Sequence, residues 1–129
     1  MAKKQILKLP PNNLDAEQSV LGSLMLDKDA VIQVADLIKA ADFYNPAHSR
    51  IYDAMLTLFE KRQPIDILSV TTKLKESDVL PEIGGSTYLT QLIESVPSAH
   101  NIGHYAKIVK EKKVLRDLIN VSAEISDMG

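Results

Sequence analysis

Residues 98–129 read SAHNIGHYAKIVKEKKVLRDLINVSAEISDMG, and this stretch decides the fold. No proline interrupts it and apolar residues recur at helical spacing, so it predicts one long helix over about residues 101–127. In its first half Ile102, Tyr105, Ile108 and Val109 make a face wide enough to dock on a globular head. In its second half Val114, Leu118, Val121, Ile125 and Met128 follow at steps of four, three, four and three, the seam of a helix that wants another helix beside it. Leu115 and Ile119 widen that apolar surface. The sequence reaches Gly129 before any returning helix. The expectation is therefore one arm of a helical hairpin cut short, or a seam filled by another chain. The alternative is a C-terminal helix packed wholly on its own domain.

Upstream of Pro97 the same period recurs in shorter pieces. Residues 1–13 read as a flexible arm ending in Pro10, Pro11, Asn12 and Asn13. A first helix over residues 14–26 is expected, capped by Asn13 or Asp15, with Leu14, Leu21, Leu24 and Met25 on one face. Gly22 costs such a helix about 1 kcal/mol against alanine, which signals a close helix crossing. A second helix follows Asp27 or Asp29 and turns Val31, Val34, Ala35 and Ile38 inward. Asn45 and Pro46, an N-cap and a proline at a first helical position, open a third helix to about residue 62, with Ile51, Met55, Leu58 and Phe59 inward and Pro64 as its stop. Asp66 caps a fourth helix carrying Ile67, Val70 and Leu74. Pro81 and Gly84-Gly85 mark a turn, and Ser86 or Thr87 opens a fifth helix with Leu89, Leu92, Ile93 and Val96 on its apolar face. With no alternating strand pattern, the chain predicts an all-α orthogonal bundle of about six helices. Its head spans about residues 14–100, and its long last helix begins a hairpin.

Composition narrows the function. The chain has 129 residues, 45% of them hydrophobic, and a chain of this length buries roughly two-thirds of the surface its unfolded form exposes. It contains no cysteine, which excludes disulfides and thiolate metal sites and suits a reducing cytoplasm. Ile6 to Leu9 is broken by Lys8 and followed by prolines, too short an apolar run for a signal peptide. No run approaches the roughly 18 apolar residues of a membrane span. A formal net charge of −2 speaks against an electrostatically driven nucleic-acid-binding domain and favours protein partners.

The chemistry of catalysis has no candidate. A phosphate-cradling loop needs glycines followed by lysine and Ser or Thr, and Gly84-Gly85-Ser86 lacks the lysine, so no ATP site is expected. His100 and His104 stand four apart, a spacing able to hold a metal from one helix face, yet a zinc site needs further ligands and only Glu94 and Glu111 are near in sequence. They read better as a solvated or capping pair. His48 reads as an ordinary side chain of the third helix. Lys107, Lys110, Lys112, Lys113 and Arg116 form one basic cluster, but the interleaved Glu111 and Asp117 mark it as a water-facing side. A helix-turn-helix over residues 66–96 fails at its recognition helix, since residues 86–96 contain no Lys or Arg and carry Glu94.

Several separated motifs carry a resemblance. Residues 10–22, PPNNLDAEQSVLG, are followed by Asp42-Phe43-Tyr44, His48, Ile51-Tyr52, Pro64-Ile65-Asp66, Gly84-Gly85 before Tyr88-Leu89, Val96-Pro97-Ser98-Ala99 with Asn101, and Tyr105-Ala106 before Ile108-Val109. In this order they resemble the N-terminal domain of bacterial replicative DNA helicases of the DnaB family, from about residue 10 to the end. The resemblance implies a helical head followed by a helical hairpin, in a collar of six copies arranged as pairs. That collar would dock the C-terminal domain of primase and helicase-loading proteins. ATP and magnesium would belong to a separate motor domain that this sequence lacks, so no cofactor and no catalytic residue is expected in it. Direct contact with nucleic acid or membrane is not expected either. For primase docking the candidates are Asp15, Tyr88, Ile119 and Ile125. For helix pairing they are Val114, Leu118, Val121 and Ile125.

Overall fold

A computed structural model describes residues 9–128, the last five as helical backbone alone. The described residues form six α-helices and three single-turn 3-10 segments, with no strand among them. In chain order these are α1 (Leu14–Leu26), α2 (Ala30–Val34), a turn at Ala40–Asp42, α3 (Pro46–Glu60), α4 (Ile67–Glu76), a turn at Pro81–Ile83, α5 (Gly85–Glu94), a turn at Ala99–Asn101, and α6 (Ile102–Met128). The all-α bundle with its long last helix is the expected one.

The helix starts follow from local chemistry. Asn13 Oδ1 accepts the amide of Ala16, Asn45 Oδ1 that of Ala47, and Asp66 Oδ1 that of Ser69, each satisfying an amide that has no partner inside its helix. Ahead of α2, Asp27 accepts the amide of Asp29 at 2.9 Å, while Asp29 makes no side-chain cap. The stop of α3 comes before Pro64. Arg62 adopts φ 58° and the Gln63 amide donates back to the Leu58 carbonyl at 2.8 Å, a left-handed helix ending. Asp78, at φ 59°, closes α4 the same way. Gly84 and Gly85, at φ 104° and 71°, turn the chain into α5 through backbone angles that side chains disfavour.

The centre of the bundle is α1, which packs against α6, α5 and α3. Ala16, Glu17, Ser19, Val20, Leu21, Gly22, Ser23, Leu24 and Met25 are all buried, so the helix is enclosed on nearly every side. Leu14, expected on its apolar face, stands exposed because it precedes the enclosed turns. Phe59 is likewise exposed at the end of α3, whereas Ile51, Tyr52, Met55 and Leu58 enter the core. A β-carbon at Gly22 would collide with the Leu92 carbonyl oxygen and the Val96 side chain. The close crossing expected at Gly22 is therefore the contact of α1 with α5. Around α1 the core closes through Val31, Val34 and Ile38, then Val70 and Leu74, Leu89 and Leu92, and finally Ile102, Ala106 and Val109 of α6.

Candidate functional site

Two surfaces carry the residues singled out from the sequence. The first is α6 where it leaves the head. Only its opening turns enter the core, through Ile102, Ala106 and Val109, with Tyr105 and Ile108 partly buried beside them. At about 100° per residue, Val114 is rotated roughly 140° from Val109, which turns the following ridge away from the head. Val114, Leu115, Leu118, Ile119 and Val121 are accordingly all exposed, Leu118 the most at 58%. Where the helix departs, Leu37, Val114 and Leu115 with Lys107, Lys110 and Glu111 line an open groove of about 430 Å³. The backbone of α6 continues to Met128, while the side chains of Ile125 and Met128 lie outside the described residues.

The helix is held at this departure point by the segment Asp42-Phe43-Tyr44. The Arg116 guanidinium donates to the Asp42 carbonyl at 2.8 Å and to the Pro11 carbonyl at 2.9 Å, and lies 5.4 Å from the centre of the Tyr44 ring. The buried Asp42 carboxylate accepts its capping bond from the Lys39 amide and faces Lys110 Nζ at 3.3 Å. Phe43 fills the core beside Tyr52. The Tyr52 hydroxyl donates to the Ile38 carbonyl, and burial, aided by the Asp42 charge, raises its pKa far above the ordinary tyrosine value. Here the expected water-facing basic side needs correction. Lys110, Lys112, Lys113 and Arg116 are all partly exposed, but Lys110 and Arg116 also anchor the helix, and the partners that make them anchors are 68 to 105 residues away in sequence.

The second surface surrounds Tyr88 on α5. Its hydroxyl meets His48 Nε2 at 2.5 Å, and the two rings stack at 5.9 Å. His48 Nδ1 lies 2.7 Å from the Glu17 carboxylate, which also accepts the amides of Tyr44 and Asn45. Glu17 and His48 are wholly buried, while Tyr88 is partly exposed. Burial pushes the Tyr88 hydroxyl pKa up, a hydrogen bond with Gln18 draws it back, and the Glu17 charge adds to the rise. His48, expected as an ordinary side chain of α3, is thus the link between a buried carboxylate and a partly exposed tyrosine.

Asp15 is exposed in the first turn of α1, and Tyr88 is partly exposed on α5. Ile119 belongs to the other patch, beyond Arg116 along α6. The buried pairing of Glu17 with His48 and the anchoring roles of Asp42 and Arg116 were not expected from the sequence. Ala16, Ser19 and Ser23, small residues at helical spacing on α1, were the available signal that a second face of that helix is covered. His100 and His104 are both exposed, and no group of three or more metal-ligating side chains gathers among the described residues. Among those residues no helix is long and apolar enough to cross a membrane.

The chain is thus an all-α bundle with an apolar helix edge leaving its surface. Residues 9–111 match the DnaB-like helicase N terminal domain, and the chain belongs to that family. It is 44% identical over 122 residues to the replicative DNA helicase DnaC of Bacillus subtilis (strain 168), covering 95% of this chain and 27% of that protein. It is 42% identical to the replicative DNA helicase DnaB of Geobacillus stearothermophilus over the same shares. The chain therefore spans about a quarter of the length of these curated relatives. Its fold is similar to the crystal structure of the N-terminal domain of DnaB helicase from Mycobacterium tuberculosis, with a TM-score of 0.90 and 44% identity over 92% of this chain and 86% of that one. A DnaB-like replicative helicase, described with its interactions with primase, is similar at a TM-score of 0.78 and 30% identity over 89% of this chain and 27% of that one.

Proposed function

We propose that this chain is a non-catalytic collar domain of a hexameric replicative DNA helicase, acting in the cytoplasm. In this role it assembles with copies of itself and docks the C-terminal domain of primase and a helicase-loading protein. The observation that carries the reading is the row of apolar side chains from Val114 to Val121, exposed on a helix whose base is clamped by Arg116. Five large apolar groups on one exposed stretch lose hydration free energy until another surface covers them, at about 25 cal/mol per Å² covered. In the collar, Val114, Leu118, Val121 and Ile125 pair with a further helix, from a returning segment of the longer protein or from a neighbouring subunit. Primase docks against Ile119 and Ile125 on α6, and against Tyr88 and Asp15 on the head. The relative described with its interactions with primase supports that choice of partner. Nucleotide and metal chemistry is assigned to the motor domain of the longer protein.

Two measurements test the proposal together. Light scattering over a concentration series should show self-association that Leu118→Asp abolishes. Calorimetric titration with the cognate primase C-terminal domain should show binding that Ile119→Asp and Ile125→Asp each weaken by about tenfold or more. Equal affinities for the three proteins would remove the docking role of α6, and a concentration-independent monomer would remove the pairing role.

A further inference from the structure

We infer that Glu17 and His48 are positioning residues that fix the polarity of the Tyr88 hydroxyl, so that a docking protein must meet Tyr88 with a hydrogen-bond donor. The inference rests on the reading of Tyr88 as a primase contact and adds the machinery behind it. Glu17 is an acceptor-only carboxylate, and it sits 2.7 Å from His48 Nδ1, so that ring nitrogen carries the hydrogen and donates. In the neutral ring the opposite nitrogen, Nε2, then has a lone pair and no hydrogen. It can only accept, and the Tyr88 O–H, 2.5 Å away, is the group that donates to it.

The consequence reaches the surface. A phenol has one hydrogen, and here it points inward, so the exposed side of the oxygen presents lone pairs alone. Burial makes the arrangement rigid. His48 is fully enclosed, Glu17 is held by the amides of Tyr44 and Asn45, and the stacked rings of His48 and Tyr88 are nearly parallel at 8°. Glu17 thereby links the start of α3, the first turn of α1 and, through His48, a partly exposed group of α5. The matching chemistry on the partner is an amide N–H, an ammonium or a guanidinium aimed at Tyr88 Oη.

The test is a double-mutant cycle read by calorimetry against the cognate primase C-terminal domain. Tyr88→Phe and His48→Gln should each weaken binding by about tenfold, and the double variant no further than either alone, because His48 acts only through the hydroxyl. Additive losses mean that His48 matters through general folding, and they overturn the inference. It is also overturned if Tyr88→Phe binds as tightly as the unaltered chain while Ile119→Asp does not, in which case docking on α6 stands alone. Absence of binding by the unaltered chain instead fails the docking proposal itself. Should His48→Gln not fold, nitrogen chemical shifts of the His48 ring in the unaltered chain decide the matter. Hydrogen on Nδ1 alone supports the assignment, and hydrogen on Nε2 overturns it.

Discussion

Arg116 of α6 donates to the backbone carbonyl of Asp42 at 2.8 Å, bridging 74 residues of sequence to fix the last helix to the head. A guanidinium offers several donors in a rigid fork, so the same group also reaches the Pro11 carbonyl ahead of α1. Three segments of the chain meet on one side chain.

Arg116→Ala should therefore lower the unfolding free energy by about 1–2 kcal/mol, the loss of charged hydrogen bonds to two carbonyls at a partly exposed position. Hydrogen exchange locates the effect. Amides of α6 beyond Lys113 should exchange faster, while those of α1 keep their protection. Arg116→Lys should not restore it, since an ammonium cannot span both carbonyls and also lie over the Tyr44 ring.

Gly22→Ala should destabilise by about 1–2 kcal/mol net, although alanine is the better helix former by about 1 kcal/mol. The added methyl has a backbone carbonyl and a valine methyl in its place, and relieving the overlap means separating α1 from α5. Urea denaturation followed by circular dichroism measures it. A variant as stable as the parent would contradict the crossing.

The sequence made helix starts legible and helix surroundings less so, for a physical reason. Asn13, Asn45 and Asp66 act within four residues of themselves, so their capping could be read directly. The burial of Glu17 depends on His48 and on the amides of Tyr44 and Asn45, some thirty residues distant, and nothing local distinguishes it from an acid suited to a helix N-terminus. Arg116 and Lys110 lie among alternating charges whose pattern fits a solvated face, and only the folded path of Pro11 and Asp42 makes them anchors. The exposed row from Val114 to Val121 was legible because its spacing is a property of the helix alone. Among the candidate docking residues, Asp15 and Ile119 are exposed as a contact surface requires, while Tyr88 is only partly so.

Arg62→Gly should raise the unfolding free energy by about 0.5–1 kcal/mol. Arg62 holds φ 58° to end α3, a conformation that costs a residue with a β-carbon and that glycine adopts freely. The midpoint of thermal unfolding should rise, with no change in the spectrum of the folded state.

Stability should fall as pH climbs above about 10, the ordinary tyrosine value from which the Tyr52 and Tyr88 hydroxyls are both raised. Each binds its proton more tightly folded than unfolded, so its contribution is complete below that pH and lost as pH rises through the folded value. Urea midpoints across an alkaline series should decline, and Tyr52→Phe should flatten the decline. Loss of stability at the same rate in Tyr52→Phe would exclude this tyrosine as the source.

The clamp at Arg116 also makes a pivot of the place where α6 departs. From there to Met128 the helix extends about 18 Å at 1.5 Å per residue, so a tilt of about 10° at the base swings the tip by about 3 Å. In the collar proposed above, angular play at one side chain would be magnified into the spacing between whatever bodies the tips hold apart, and the stiffness of that arrangement would be set where the rod meets its hub.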